Sequence, residues 1–213
     1  MKLVVSKQLY YASNALIALL FLTTTATAQR TASVSGNWNS TATWGGSAVP
    51  TSTDAVTIAN GVTVTVNVSN AVCSSLQLGG TAANTLGILT FAATGSPKLT
   101  VSGATTVGGS GSTNANRRGE ILFVSGSTFE TGTLKLTQGA SNNPAVINMG
   151  SGGCLLKTGA ITDGGGVLTY TSGGSIEINA TTSLPNEFSS FNILTIFGDC
   201  LTSFLSRRFI LIH

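Results

Sequence analysis

Val62-Thr63-Val64-Thr65-Val66 alternates an apolar residue with a hydroxyl-bearing one at every step. That period of two puts three valines on one face of an extended chain and both threonines on the other. β-Branched side chains also suit a pleated surface. Shorter copies of the pattern follow in Leu76-Gln77-Leu78, Leu99-Thr100-Val101, Leu134-Lys135-Leu136 and Ile176-Glu177-Ile178. Each predicts a strand with one buried face. Between them lie Gly79-Gly80, Gly108-Gly109, Gly152-Gly153, Gly164-Gly165-Gly166 and Gly173-Gly174. These pairs and triplets permit the positive φ values that sharp corners need.

The strand seeds recur roughly every 8 to 14 residues, a spacing that fits a β-sandwich or a β-solenoid. Only Asn60-Gly61 has the form of a two-residue hairpin turn, and the other links are glycine-serine runs of uneven length. Uneven links suit a chain that winds around corners. The expected fold is therefore all-β, a single-stranded right-handed parallel β-helix over residues 29–196, with a β-sandwich as the alternative. Stacked turns of such a helix pile Val, Leu, Ile and Phe on their counterparts and leave two ends that need caps.

Residues 1–28 read as a leader. Lys2 and Lys7 precede the apolar run Ala15 to Leu22, and Ala26-Thr27-Ala28 is a small-residue cleavage site, so export with a mature start at Gln29 is expected. The apolar run falls short of the roughly 20 residues of a membrane span, and no span is expected in the mature chain. With Lys2 and Lys7 removed, the ten Lys and Arg residues fall to eight, against seven Asp and Glu. That balance carries no nucleic-acid footprint. Charged residues make up 8% of the chain and hydrophobic ones 42%, so a core can form while solubility rests on hydroxyls and amides. Cys73, Cys154 and Cys200 are odd in number and unpaired in spacing, which reads as small core residues rather than a disulfide framework.

Catalytic sets are sparse. The one histidine, His213, is the final residue, and no nucleophile elbow, zinc helix or phosphate loop is present. The scattered carboxylates Asp54, Glu120, Glu130, Asp163, Glu177 and Glu187 are the remaining route to chemistry, through a glycosidase pair or a calcium-assisted lyase site assembled by stacking. Arg117-Arg118 beside Glu120 reads as a surface ion pair, and Asp163-Gly164-Gly165-Gly166 is one isolated glycine motif. Thr63-Val64-Thr65 and Thr169-Tyr170-Thr171 show no common register in the sequence and are explained by β-propensity. No cofactor, metal or catalytic residue is assigned.

Residues 36–66, GNWNSTATWGGSAVPTSTDAVTIANGVTVTV, hold both tryptophans, Trp38 and Trp44. They read as a cap over the open end of the stack or as a sugar-binding platform. Trp38, Trp44, Gly45, Gly46, Pro50, Asp54, Val56, Ile58, Gly61, Val62, Val64 and Val66 resemble the opening of extracellular β-helix proteins of Bacteroidetes-type bacteria. The stretch is also similar to the start of the extracellular domain named for its eight glycines. Ser183-Leu184-Pro185, Phe188 and Phe191 to Ile196 resemble a later repeat of those proteins. The resemblance implies a long, secreted, adhesin-like surface protein, often exported by type IX secretion. From Phe197 the texture changes to FGDCLTSFLSRRFILIH, which reads as a helical cap or the truncated end of a longer gene. The expected function is a secreted, non-enzymatic structural or adhesive module with a glycan or surface-protein partner. The alternative is a carbohydrate-active enzyme, a polysaccharide lyase or glycosidase, or a fragment of one.

Overall fold

The computed structural model describes residues 28–80, 86–109, 118–137, 145–162, 167–169, 173–180 and 193–196. Among the described residues the chain is all-β apart from one 3-10 turn at Thr41–Trp44. A first sheet contains β1 (Gln29–Ala32), β3 (Ala55–Ile58), β5 (Ala71–Cys73), β6 (Ser75–Leu78), β8 (Lys98–Val107), β10 (Thr128–Leu136), β12 (Ser151–Thr162), β14 (Gly173–Ile178) and β15 (Ile193–Ile196). A second contains β2 (Gly36–Asn37), β4 (Thr63–Val66), β7 (Gly87–Phe91), β9 (Gly119–Leu122), β11 (Val146–Asn148) and β13 (Val167–Thr169). The chain crosses repeatedly from one sheet to the other. Every described pair is parallel. Antiparallel pairing, which the sandwich alternative requires, is not found among the described residues, because each crossing returns the chain to its first sheet running in its original direction.

All five period-two seeds fall on strands, with Val62 just ahead of β4, and their alternate residues form columns along the stack. Ala32, Ile58, Leu78, Val107 and Leu136 pair in succession, as do Ala71, Leu99, Phe129, Leu156 and Ile176. In the second sheet Val64, Leu89, Ile121 and Ile147 form a third column. All three columns are buried. Phe91 stacks on Phe123 at 5.2 Å, and Phe123 meets Phe129 edge-on at 6.5 Å, joining the two sheets through one interior. Cys73 and Cys154 are free and buried, and burial pushes the Cys73 thiol up to about 12. Cys200 lies outside the described residues.

One bend of the first sheet depends on glycine. β5 pairs with the first half of β8 and β6 with the second, so Ser74 lies opposite the bend at Ser102-Gly103. Gly132 and Gly159 continue the bend through β10 and β12. A Cβ on Gly132 would lie 2.8 Å from the Gly103 carbonyl oxygen, and one on Gly159 would collide with the Gly132 carbonyl oxygen. Larger residues therefore cannot stack here without moving the backbone. Gly164-Gly165-Gly166, the part of the later repeat from Ser183 to Asn192, and the 197–213 tail lie outside the described residues.

Candidate functional site: the front end and the outer rows

The front end begins at β1, whose partner β3 follows a tight turn. Asp54 closes that turn by accepting hydrogen bonds from the Thr51 N–H at 2.8 Å and the Thr51 hydroxyl at 2.9 Å. Its Oδ2 also lies 3.5 Å from Nε of Arg30. Arg30 occupies the core-facing register position opposite Val56. Its Nε is buried and meets the carboxylate as an ion pair without hydrogen-bond geometry. Burial alone would raise the Asp54 carboxyl, but the two Thr51 donors and the Arg30 guanidinium hold it below its ordinary value. Asp54 is thus a charged structural group, and the sequence offered only the local signal Thr51-Ser52-Thr53-Asp54 for it.

Trp38 follows β2 and extends its pairing, donating its N–H to the Thr65 carbonyl at 2.8 Å. The chain then makes the 3-10 turn and reverses through Gly45, at φ +65°, and Gly46, at φ +82°. Thr43 is buried beneath the turn with its hydroxyl donating to the Asn37 carbonyl at 2.8 Å. The reversal folds Trp44 back onto Trp38, edge to face at 5.2 Å and 74°. The Trp44 indole N–H donates to the Trp38 carbonyl at 2.7 Å. The rings are 1% and 3% exposed, so neither presents a face on which a pyranose could stack.

The other candidate acids are dispersed. Glu120 is half-buried on the outer face of the second sheet, between Ile88 and Val146; burial raises its carboxyl and Arg118 opposes the rise. Glu130, Lys157 and Glu177 are register partners on successive strands of the first sheet. Lys98 contacts Glu130 at 2.8 Å and Lys157 contacts Glu177 at 2.8 Å. The result is a ladder of alternating charge, with the Lys157 ammonium held above its ordinary value by the Glu177 hydrogen bond and charge. Asp163 and Glu187 lie outside the described residues, as does Arg117. Among the described residues, no group of three or more His, Cys, Asp and Glu side chains is positioned to hold a metal ion, and no helix is long and apolar enough to cross a membrane.

Two rows run along the other outer face of the first sheet. One contains Ala55, Ser75, Ala104, Thr133 and Ala160; the next contains Thr31, Thr57, Gln77, Thr106, Lys135 and Thr162. Gln77 folds onto the backbone, donating from Nε2 to the Gly108 carbonyl at 2.7 Å. Four threonines thus share a register that the sequence did not display; Thr57, Thr106 and Thr162 stand in Ala-x-Thr rungs, and Thr31 follows Gln29 and Arg30. Thr63 and Thr65 pair instead with Ile88 and Thr90 in the second sheet. Comparison with protein-family models, curated proteins and solved structures finds no match to this chain.

Proposed function

We propose that the chain is a secreted, non-enzymatic module of a bacterial surface, a right-handed parallel β-helix in structural or adhesive service. It belongs to a longer protein of the kind its front end resembles, with Trp38 and Trp44 as its cap. Its outer rows contact a glycan or another surface protein. The observation that supports this most is the shared register of the Ala, Ser and Thr rows on one face. Apart from Gln77 and Lys135, strands spaced about 4.8 Å apart carry short hydroxyl and methyl groups there, so an extended polymer lying on them desolvates a single ammonium.

Glu130 and Glu177 occupy a different face and are each engaged with a lysine. General acid-base work asks for a carboxyl free to exchange its proton with substrate, so these two carboxylates lend the enzyme alternative little support. A glycan array probed with the chain from residue 29 onward tests the reading. Binding that disappears in a Thr57→Arg, Thr106→Arg double variant supports it. Binding that ignores those changes, or polysaccharide shortened during incubation, contradicts it.

A further inference from the structure

β1 heads the order of the first sheet, and its described partner is β3. The Ala55 N–H donates to the Ala28 carbonyl at 2.9 Å, and the Ala59 N–H donates to the Ala32 carbonyl at 3.2 Å. Backbone polar groups alternate sides along a parallel ladder, so those of Gln29 and Thr31 face away from β3. Among the described residues no strand pairs with that side. Such an edge is a template for another chain, and a second copy of this one carries the same edge. Arg30 stands between Gln29 and Thr31 and turns inward. It heads the column of Val56, Leu76, Thr105, Leu134 and Ile161, none of them more than 3% exposed. The placement is costly, because Nε is buried without a hydrogen bond and Asp54 approaches it only to 3.5 Å. An apolar residue would continue the column without that burden.

We infer that Arg30 guards this edge, keeping a second copy of the chain from extending the first sheet. Two β1 strands can satisfy each other's free groups about a two-fold axis, with each Gln29 opposite the other copy's Thr31. That register sets the two Arg30 residues directly opposite each other on one face. Theirs is the non-hydrogen-bonded position, where Cα atoms approach to about 4.5 Å and side chains are closest. Like charges placed so are destabilising, and each guanidinium gives up the water that reaches its side chain, now 24% exposed. Asp54 and its Thr51 donors hold the guanidinium at the head of the column, so it cannot swing clear without leaving the carboxylate buried and unpaired. An inward-pointing charge on a terminal strand is a known means of refusing a further strand.

Sedimentation velocity of the purified chain over a series of concentrations tests the inference, with tryptophan emission as the check on folding. The parent protein is expected to remain a monomer. Arg30→Leu combined with Asp54→Asn removes both charges and keeps an acceptor for Thr51; it should form dimers whose share rises with concentration. Adding Thr31→Pro takes an N–H from the open edge without touching the bonds to β3, and should restore the monomer. Arg30→Gln with Asp54→Asn is a second neutral variant that keeps a polar side chain, and it should associate more weakly. A parent protein that is already dimeric, or a folded Arg30→Leu, Asp54→Asn variant that stays monomeric throughout, overturns the inference. So do dimers that persist with Thr31→Pro. Failure of both neutral variants to fold would show that the pair serves the fold alone, and would overturn it as well.

Discussion

Thr105 and Thr131, 26 residues apart in the chain, share a 2.8 Å hydrogen bond between buried hydroxyls. Thr105 lies in a register column with Arg30, Val56, Leu76, Leu134 and Ile161. Thr131 also reaches the Thr133 carbonyl at 3.0 Å and the Gly103 carbonyl at 3.3 Å. With one hydroxyl proton directed to a carbonyl, Thr131 accepts from Thr105. Thr131→Val therefore leaves the Thr105 hydroxyl buried without a partner and is expected to cost about 1–3 kcal/mol. Thr105→Val leaves the Thr131 carbonyl bonds in place and should cost about 1 kcal/mol or less. Urea denaturation of both variants and of the double variant checks this. The double variant should be more stable than Thr131→Val alone.

The front cap has its own reporter, because Trp38 and Trp44 are the chain's two tryptophans. Trp44→Phe keeps an aromatic ring but leaves the Trp38 carbonyl without the indole donor, at an expected cost of about 1–3 kcal/mol. Trp44→Ala also opens a cavity and should cost about 3–5 kcal/mol. In the parent protein, both indoles should emit at short wavelength and resist acrylamide quenching. Ready quenching in the native state would contradict the packing.

Acid should loosen the same end. The folded Asp54 carboxyl titrates below its unfolded value of about 4. Its contribution is therefore complete above that value and is lost as pH falls through the lower folded one. Tryptophan fluorescence followed during urea titrations between pH 6 and pH 2 should show that loss at the acid end. Asp54→Asn removes the contribution at every pH, so the same curve should become flatter and lie lower at neutral pH.

The glycine bend separates steric from conformational strain. Gly132→Ala puts a Cβ 2.8 Å from one carbonyl oxygen and 2.9 Å from another. It should destabilise the chain severely or prevent folding. Gly126 has φ +81° and open space around it, so Gly126→Ala carries only the left-handed backbone penalty of about 1–2 kcal/mol. Thermal melts of the two variants compare the effects directly.

The charge ladder should respond to sign. Lys157→Glu would replace alternating partners with like charges on three adjacent strands, destabilising the first sheet. Added salt should narrow the difference from the parent protein. A melting temperature unchanged at low salt would show that the ladder contributes nothing measurable.

The strands were legible because period-two alternation is local: Val62, Val64 and Val66 turn inward whatever lies beside them. The corner role of glycine was legible at Gly79, Gly80, Gly108, Gly152 and Gly153, which all adopt positive φ. Register was not. Side chains that bond across neighbouring strands are separated by 26 residues at Thr105 and Thr131, 28 at Asn39 and Asn67, and 30 at Thr100 and Glu130. No constant sequence period connects them, which concealed both the threonine row and the Glu130–Lys157–Glu177 ladder. Trp38 and Trp44 stand out in the sequence, but amphipathic indoles serve caps and sugar platforms alike. Their burial followed only from the fold of Gly45-Gly46 and the Trp44-to-Trp38 hydrogen bond.

Successive parallel strands stack in one register, and spin-label distances along a single outer row probe that stacking. In a cysteine-free background, labels pairing Thr31 in turn with Thr106, Lys135 and Thr162 span three, four and five strand steps. Backbone separations of roughly 14, 19 and 24 Å are expected from the strand spacing. A regular increase in the measured distances from pair to pair is the expected result. Distances that shorten or scatter along that order would contradict the stack.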